Sequence, residues 1–331
     1  MSLLEWFALD RAGRARQGVF AFLVLASVVN APRAETEGDP DYPGAATVAG
    51  SLSSIGSETM APLMELWAED FKRAHPGVDV RIQSSGSFAA PPALADGVAH
   101  LAPMSRMMNA TEMSAFVARR GYQPTPVQVA VDAVMVVVHR ANPIRGMSLA
   151  QLDAVFSSAR KCGPGEDILR WGQLGLSEEW QERPVQVYSP GPVSGTRDYF
   201  RQQALCGGDF KNAALASSTS PALVRAVGNS LNAIGYVGLG HMIPGVRSVP
   251  LAVAPGAPWV TPSAANALAG TYPLARYLYI YIDKAPGRPL PSAVEAWLRM
   301  GLSERGQRLV ARAGYIPLPS SVIPQQLTQL R

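Results

Sequence analysis

Three short stretches of the chain place glycine beside serine or threonine directly before a predicted helix. They are Gly56–Thr59 (GSET), Gly86–Ser87 and Ser194–Thr196 (SGT). A helix N-terminus exposes N–H groups without intrahelical acceptors and carries about half a unit of positive charge. Hydroxyls add donors and glycine allows close approach to the backbone, so such stretches suit a small tetrahedral oxyanion. N-capping is the simpler explanation for any one stretch, but three at strand ends favour a shared anion site.

Strands and helices alternate along the rest of the sequence. Alternating or β-branched runs predict strands over 46–53, 78–83, 126–139, 184–188, 233–240 and 274–282. Apolar residues at helical spacing, with Ser or Thr caps, predict helices over 61–74, 90–98, 111–119, 148–157, 197–205, 220–230, 292–300 and 303–313. This order predicts an α/β fold with mainly buried sheets.

The N-terminus has the pattern of an export signal. Three arginines precede an apolar run over 18–29, which is shorter than the ~20 residues that a membrane span needs. Cleavage after Ala31 or Ala34 would define a signal peptide over 1–34 and leave a flexible mature N-terminus over 35–44. An uncleaved anchor or a buried helix is the alternative interpretation. No cysteine directly follows the apolar run, which disfavours a lipid anchor, so we expect an exported, periplasmic protein.

Composition excludes several other classes of protein. Of 331 residues, 47% are hydrophobic and 16% are charged, which excludes a disordered chain. The length is typical of about two domains. The net charge is +4, and loss of residues 1–34, with four arginines and two acids, would leave +2. Because the basic residues are scattered, we expect no nucleic-acid partner.

Cys162 and Cys206 are the cysteines of the sequence. In an oxidising compartment an isolated pair favours a disulfide over a reactive or metal-binding pair. Two cysteines without nearby histidines cannot form a structural zinc site. The predicted bridge would close a loop of about 44 residues, worth about 3–4 kcal/mol of stability.

Motifs of catalysis and cofactor binding are absent from the sequence. His75, His100, His139 and His241 stand apart without metal-ligand spacing, and we interpret them as structural. No Walker A loop, dinucleotide fingerprint or GxSxG elbow occurs in the required context. Asp132 interrupts an apolar strand, and a hinge or hydrogen-bonding role is favoured over catalysis. We therefore expect no enzyme, no cofactor and no metal.

The sequence resembles the periplasmic phosphate-binding proteins of the PstS type, which serve the phosphate ABC transporter. The stretches that carry the resemblance are GSETM at 56–60, SSGS at 84–87, MSRMM at 104–108, VSGTRDYF at 193–200, NAIGYVGLG at 232–240, YPLARYLYIYIDKAPGRPL at 272–290 and GYIPLP at 314–319. They cover nearly all of the mature chain in order. The SGT stretch before an aromatic helix, together with MSR, is fairly specific, and the other stretches are weak alone.

The resemblance implies a two-lobed class II periplasmic binding fold, each lobe a central mixed sheet flanked by helices. The first lobe would comprise 45–135 and 265–331, and the second would be the inserted section 136–264. Two strands near 130–138 and 276–282 would form the hinge. Phosphate would be closed in the cleft between the lobes.

The resemblance also implies a set of ligand contacts, which are Ser57, Thr59, Ser87, Ser105, Arg106, Ser194, Gly195 and Thr196. Two positions depart from the family pattern. The arginine that family members commonly carry four residues before the SGT serine is Pro190 here, and the aspartate beside the serine of MSR is Arg106. Arg106 could replace the lost arginine, but the acceptor that excludes sulfate is gone. Glu58 is a candidate acceptor or a helix-supporting acid, and Arg197 is a candidate contact or an exposed arginine.

The function implied is that of a monomeric receptor that binds inorganic phosphate and delivers it to the membrane subunits of an ABC transporter. Binding of another oxyanion, and phosphate sensing or scavenging without transport, are alternatives. A degenerate site that no longer binds is another. A secreted phosphate-ester hydrolase using the same pocket is the alternative from a different class.

Overall fold

The computed structural model describes residues 48–163 and 165–331. The predicted signal peptide and flexible N-terminus, over 1–44, lie outside these residues. Within the described part of the chain, no helix has the length and apolar character needed to cross a membrane.

Short strands and helices alternate, as the sequence predicts. The strands are β1 (Gly50–Ile55), β2 (Val78–Gln83), β3 (Ala102–Met104), β4 (Thr125–Ala133), β5 (Met135–His139), β6 (Met147–Ser148), β7 (Gln186–Pro190), β8 (Leu215–Ser217), β9 (Ala233–Val237), β10 (Val246–Val249), β11 (Leu251–Ala252) and β12 (Ala275–Ile282). The helices are α1 (Ala61–Ala74), α2 (Ala90–Ala95), α3 (Ala110–Arg120), α4 (Leu149–Phe156), α5 (Gly195–Ala204), α6 (Ser220–Gly228), α7 (Ala264–Leu268), α8 (Ser292–Leu302), α9 (Glu304–Arg312) and α10 (Ile323–Thr328).

One lobe is built on the sheets that contain β1 and β12. Strands β1 and β2 pair in parallel, while β12 runs antiparallel between β3 and β4. The apolar stripe of α1 packs on α8, where Trp67 and Phe71 lie 6.4 and 5.2 Å from the ring of Trp297. These buried aromatic rings fix the helix layer over the strands.

The other lobe is built on a five-stranded mixed sheet with strand order β10–β5–β9–β7–β8. Parallel β7, β8 and β9 place the carboxyl ends of β7 and β8 at the edge where α5 and α6 begin. On one side of the sheet the ring of Phe200 in α5 stacks on Tyr236 in β9 with centroids 3.8 Å apart. This contact anchors α5 and therefore the position of its first turn.

The chain passes between the two sheets at Val134. The single strand predicted over 126–139 is wrong in this respect, because β4 ends at Ala133 and pairs with β12, whereas β5 pairs with β9 and β10. The returning segment lies alongside, since Val134 N donates to Leu274 O and Tyr272 Oη donates to Val134 O, both at 2.9 Å. The residue limits given above for the lobes stay a prediction.

The predicted disulfide between Cys162 and Cys206 is confirmed, with the two Cα atoms 5.3 Å apart. It joins the loop after α4 to the residues that follow α5. Cys206 has φ 48°, in the left-handed region that non-glycine residues rarely adopt.

Candidate functional site

The first predicted loop joins β1 to a short 3-10 turn, Glu58–Met60, ahead of α1. Glycine is required at position 56, because a Cβ atom there would lie 2.2 Å from Pro103 O. Ser57 N donates to the same oxygen at 2.8 Å. The Ser57 side chain is buried, and its hydroxyl has no hydrogen-bond partner among the described residues. Burying an unsatisfied polar group costs about 1–3 kcal/mol, so Ser57 Oγ is a candidate ligand contact.

The second loop meets the turn that follows β3. Gly86 adopts φ 91°, which favours glycine, and leads into the buried Ser87. Ser105 N donates to Ser87 Oγ at 3.1 Å, and the two hydroxyl oxygens lie 3.3 Å apart. Both serines have no exposed surface. The structure therefore brings the second loop and the Met-Ser-Arg turn together, as the family resemblance implied.

The third loop supplies the N-terminus of α5 and faces the other two. Ser194 is its N-cap, and its Oγ accepts a hydrogen bond from Arg197 N at 3.3 Å. A Cβ atom at Gly195 would lie 2.2 Å from Ser87 Oγ, so the helix N-terminus touches the second loop. The hydroxyl oxygens of Thr196 and Thr59 lie 2.7 Å apart. The first two loops lie in one lobe and the third in the other, so the three loops meet across the cleft.

A buried ion pair that was not predicted as part of the site lies behind these hydroxyls. Arg276 Nη2 lies 2.7 Å from Asp132 Oδ2 and donates to Thr196 Oγ1 at 2.9 Å. Arg276 Nη1 donates to Ser105 O at 2.8 Å. Asp132 Oδ1 accepts from Leu239 N at 2.8 Å, which agrees with the hydrogen-bonding role expected for this acid. The sequence signal that could have identified Arg276 is its charge, which stands inside the apolar run at 274–282.

Two buried side chains fix the backbone of the first loop. Tyr315 Oη donates to Thr59 O, and His241 Nε2 lies 3.2 Å from the same oxygen. Burial raises the pKa of Tyr315 well above the usual phenol value, so the hydroxyl remains a donor at neutral pH. Across the cleft, Tyr199 Oη donates to Ala275 O at 2.7 Å, and burial raises the pKa of Tyr199 to about 12.

Arg106 is buried, and its guanidinium is held between two carboxylates. Its Nη1 and Nη2 donate to Glu112 Oε2 and Oε1 at 2.7 and 2.6 Å. Its Nε lies 2.9 Å from Asp198 Oδ2, as an ion pair whose angle is outside hydrogen-bond geometry. The guanidinium also lies over the ring of Phe88, 4.3 Å from the centroid. A direct contact of Arg106 with the ligand stays a prediction.

Glu58 and Arg197 have protein partners in the structure. The Glu58 carboxylate accepts from Ser220 N at 2.9 Å and from Ser220 Oγ at 2.8 Å, at the start of α6. Arg197 Nη1 donates to Pro190 O at 3.1 Å, and its guanidinium lies 4.0 Å from the centroid of Phe210. Arg197 therefore brings a guanidinium to the carbonyl of Pro190. Ligand contacts from Glu58 and Arg197 stay predictions.

The polar groups that meet here are hydroxyl groups and backbone N–H groups. Within residues 48–163 and 165–331, no group of three or more His, Cys, Asp or Glu side chains could hold a metal ion. Hydroxyl groups and the free N–H groups of a helix N-terminus suit the oxygens of an anion. We call this set the anion cradle, and its members are Ser57, Thr59, Ser87, Ser105, Ser194, Gly195 and Thr196.

Comparison with known proteins agrees with this geometry. Residues 42–305 match the family model described as a PBP superfamily domain. The chain is 47% identical over 291 residues to the phosphate-binding protein PstS of Pseudomonas aeruginosa, a match covering 88% of this chain and 90% of that protein. The chain belongs to the PstS-type phosphate-binding proteins.

Solved structures confirm the fold of this PstS-type protein. It is similar to a phosphate ABC transporter substrate-binding protein with bound phosphate from Clostridium perfringens, with TM-score 0.68 and 26% identity over 82% of this chain and 100% of that chain. A phosphate transport receptor of Vibrio cholerae gives TM-score 0.62 and 24% identity over 81% and 100% of the two chains. The predicted α/β fold, a two-lobed class II periplasmic binding protein, is confirmed.

Proposed function

We propose that the protein is a phosphate receptor, which binds inorganic phosphate in the anion cradle and delivers it to the membrane subunits of an ABC transporter. The observation that carries this proposal is the buried, unpartnered Ser57 hydroxyl in a cradle that also contains the N-terminus of α5. The relatives reported above are named for phosphate binding or phosphate transport. The receptor is exported to the periplasm after cleavage of its N-terminal signal, and it acts as a monomer.

The cradle offers enough hydrogen bonds for tight binding. A micromolar dissociation constant corresponds to about −8 kcal/mol. Hydrogen bonds to a charged group contribute about 1.5–3 kcal/mol each, so four or five donors from the cradle suffice. The N–H groups of Gly195 and Thr196, in the first turn of α5, would bind one face of the anion, and the serine hydroxyls would bind the other.

The positive charge next to the cradle comes from the Arg276 side chain and not from the net charge of the protein. Its guanidinium donates to Thr196 Oγ1, so that hydroxyl accepts from Arg276 and keeps its own proton for another acceptor. Thr196 and Thr59 then form a pair in which one proton can be donated to the ligand. Arg276 acts in this way as a positioning residue behind the cradle.

Selectivity among oxyanions depends on what accepts a proton from hydrogen phosphate. The family aspartate is Arg106 here, and both Glu58 oxygens accept hydrogen bonds from Ser220. Among the residues of the anion cradle, the side-chain acceptors that would face the ligand are hydroxyl oxygens. We therefore propose that this receptor separates phosphate from sulfate less strongly than relatives that carry the acid, and that arsenate binds like phosphate.

Titration calorimetry of refolded, phosphate-stripped protein tests the proposal. Phosphate is expected to bind one per chain with a micromolar or smaller dissociation constant, and sulfate more weakly. The absence of heat with phosphate, sulfate and arsenate would overturn the proposal. Equal affinities for phosphate and sulfate would overturn its phosphate preference only.

The hydrolase alternative makes a different prediction. A secreted phosphate-ester hydrolase would turn over p-nitrophenyl phosphate, and Ser57→Ala or Ser194→Ala would abolish that turnover. The receptor shows no turnover above the solvent rate while still binding phosphate. If the wild type turns over this substrate and the variants do not, the protein is a hydrolase and the receptor proposal is wrong.

A further inference from the structure

Two candidate ligand contacts, Glu58 and Arg106, also contact the opposite lobe. Glu58, in the loop after β1, accepts two hydrogen bonds from Ser220 at the start of α6. Arg106, in the turn after β3, forms an ion pair with Asp198 in the first turn of α5. We call the Glu58–Ser220 and Arg106–Asp198 contacts the cross-cleft pairs. Each joins a loop of the lobe containing β1 and β12 to a helix N-terminus of the five-stranded lobe.

From these contacts we infer that Glu58, Arg106 and Asp198 are positioning residues, which set phosphate affinity by stabilising the closed cleft without touching the ligand. The inference rests on the proposed phosphate-receptor function. Since the partners lie in different lobes, each cross-cleft pair exists only while the lobes are together. A contact present only in the closed form raises the population of that form, and apparent affinity rises by the same factor.

Arg106 is held ready for this contact by its own lobe. Glu112 binds both terminal nitrogens of its guanidinium, and Nη1 also donates to Met107 O at 2.8 Å. The ring of Phe88 lies against the guanidinium. These three residues belong to the same lobe as Arg106, so the side chain stays in place when the cleft opens. An immobilised guanidinium loses little conformational entropy on meeting Asp198.

The charge of Asp198 explains why its partner must be a cation. Asp198 lies in the first turn of α5, next to the N–H groups that the proposed ligand would use. An unpaired carboxylate there would repel an anion and compete for the positive end of the helix dipole. The Asp198 side chain is 16% exposed and Arg106 6%, so solvent screens the pair weakly. Arg201, in the same helix, forms a longer ion pair with Asp198 at 3.8 Å. Arg106 therefore offsets most of the repulsive charge beside the cradle and also links the lobes.

Glu58 acts on α6 in the same way. The first N–H groups of a helix need acceptors from outside it, and within its own lobe Thr219 Oγ1 caps Ala222 N at 3.3 Å. The N–H of Ser220 receives its acceptor from Glu58, across the cleft. A carboxylate at a helix N-terminus is favourable for both charge and hydrogen bonding. Closing the cleft thus completes the cap of α6.

Stopped-flow and calorimetric measurements with inorganic phosphate test the inference. Asp198→Asn and Glu58→Gln are each expected to raise the dissociation rate constant about tenfold, while the association rate constant stays within about threefold. Asp96→Asn is the matched control, because Asp96 forms an exposed ion pair with Arg119 within one lobe. Its rate constants should equal those of the wild type.

The melting temperature of the phosphate-free protein separates a positioning role from a structural one. If the pairs form on closure, the Asp198→Asn and Glu58→Gln variants have the same melting temperature as the wild type in the absence of phosphate. When phosphate is added, their melting temperatures rise less than that of the wild type. A variant that melts lower without phosphate owes its defect to folding, and that result would contradict the inference. This measurement also identifies any variant that does not fold.

The double variant Arg106→Ala/Asp198→Asn distinguishes a cross-cleft pair from a ligand contact. The inference predicts that the double variant binds phosphate at least as tightly as Arg106→Ala alone, because the Asp198→Asn change removes a repulsive charge that Arg106→Ala leaves with only the longer ion pair to Arg201, at 3.8 Å. If Arg106 contacts the ligand, the losses of affinity in the two single variants multiply in the double variant, and most of the combined loss comes from Arg106→Ala. That result would overturn the inference. Wild-type dissociation rates in both single variants would also overturn it, whereas a wild-type protein that binds no phosphate would overturn the receptor function itself.

Discussion

Arg276 and Asp132 lie directly opposite each other on β12 and β4, and their side chains form a buried ion pair beside the point where the chain passes between lobes. The same guanidinium donates to Thr196 Oγ1 in the first turn of α5. One side chain therefore connects the crossing strands of one lobe to the cradle loop of the other. The geometry of the cradle depends on this pair even though neither residue is in a Ser/Thr/Gly loop.

Replacing Arg276 with lysine should weaken both folding and binding. An ammonium group cannot bond Asp132, Thr196 and the Ser105 carbonyl together, since it lacks the planar fork of a guanidinium. We expect Arg276→Lys to lower the free energy of unfolding by about 2–3 kcal/mol, which is less than the about 3–5 kcal/mol for removing one partner of a buried pair, because lysine keeps the positive charge. Phosphate affinity should fall about tenfold, for loss of one charge-assisted contact. Urea unfolding of phosphate-free protein and calorimetry measure the two effects.

The control for this prediction is Arg299→Lys. Arg299 pairs with Glu295 on an exposed helix face, where such pairs contribute about 0.5 kcal/mol or less. Equal unfolding free energies for Arg276→Lys and Arg299→Lys would contradict the role given to the buried pair.

Gly195→Ala should abolish tight phosphate binding. The new methyl group would lie 2.2 Å from Ser87 Oγ and 2.7 Å from Ser105 Oγ, so the third loop would have to move away from the other two. A displacement of about 1 Å in a binding constellation can cost about 100-fold, and calorimetry should show a loss of that size. Gly191→Ala is the control, because its nearest neighbour is Ser217 O at 3.4 Å. Unchanged affinity in Gly195→Ala would show that the loops do not meet around the ligand.

Ser57→Ala should separate binding from stability. Because the Ser57 hydroxyl has no partner among the described residues, its removal takes no hydrogen bond from the protein. The melting temperature should stay equal or rise, while phosphate affinity falls about tenfold through loss of one charge-assisted hydrogen bond. Ser53→Ala is the comparison, since Ser53 Oγ donates to Val98 O at 2.8 Å and its loss should affect stability only. If the Ser57→Ala variant binds phosphate with wild-type affinity, Ser57 does not contact the ligand.

Removing the disulfide should lower stability without changing affinity. The bridge between Cys162 and Cys206 closes a loop with sequence separation 44. Its loss should lower the free energy of unfolding by about 3–4 kcal/mol on the chain-entropy model. The prediction is tested with the double variant Cys162→Ser/Cys206→Ser. Urea unfolding measures its stability, and calorimetry measures its phosphate affinity. A large loss of affinity would mean that the bridge also holds the first turn of α5 in place.

The sequence predicted the local features of the fold well. Helix α1 and strand β2 occupy the residues expected from periodicity, and the three cradle loops lie at predicted helix starts. These features depend on spacing, caps and glycine within a few residues. The strand over 126–139 was predicted as one piece, because nothing local at Val134 indicates that β4 and β5 pair with different sheets. Short strands such as β8 and β10 were missed because they have few apolar residues and depend on neighbours for their pairing.

The site was predictable to the extent that its chemistry is local. The convergence of Ser87 and Gly195 followed from loops at strand ends, and that of Ser105 from the family resemblance. The partners of charged side chains did not, because they are long-range contacts between residues such as Arg276 and Asp132, 144 positions apart, or Ser220 and Glu58, 162 positions apart. Burial by a distant segment decides whether an arginine binds a ligand or another side chain.

A crystal structure of phosphate-stripped protein crystallised with phosphate, in the absence of sulfate, tests the central claim most directly. We predict one phosphate between the lobes, with its oxygens within hydrogen-bond distance of Ser57 Oγ, Ser87 Oγ and the N–H groups of Gly195 and Thr196. Phosphate bound elsewhere, or a cradle without phosphate at saturating concentration, would contradict the account.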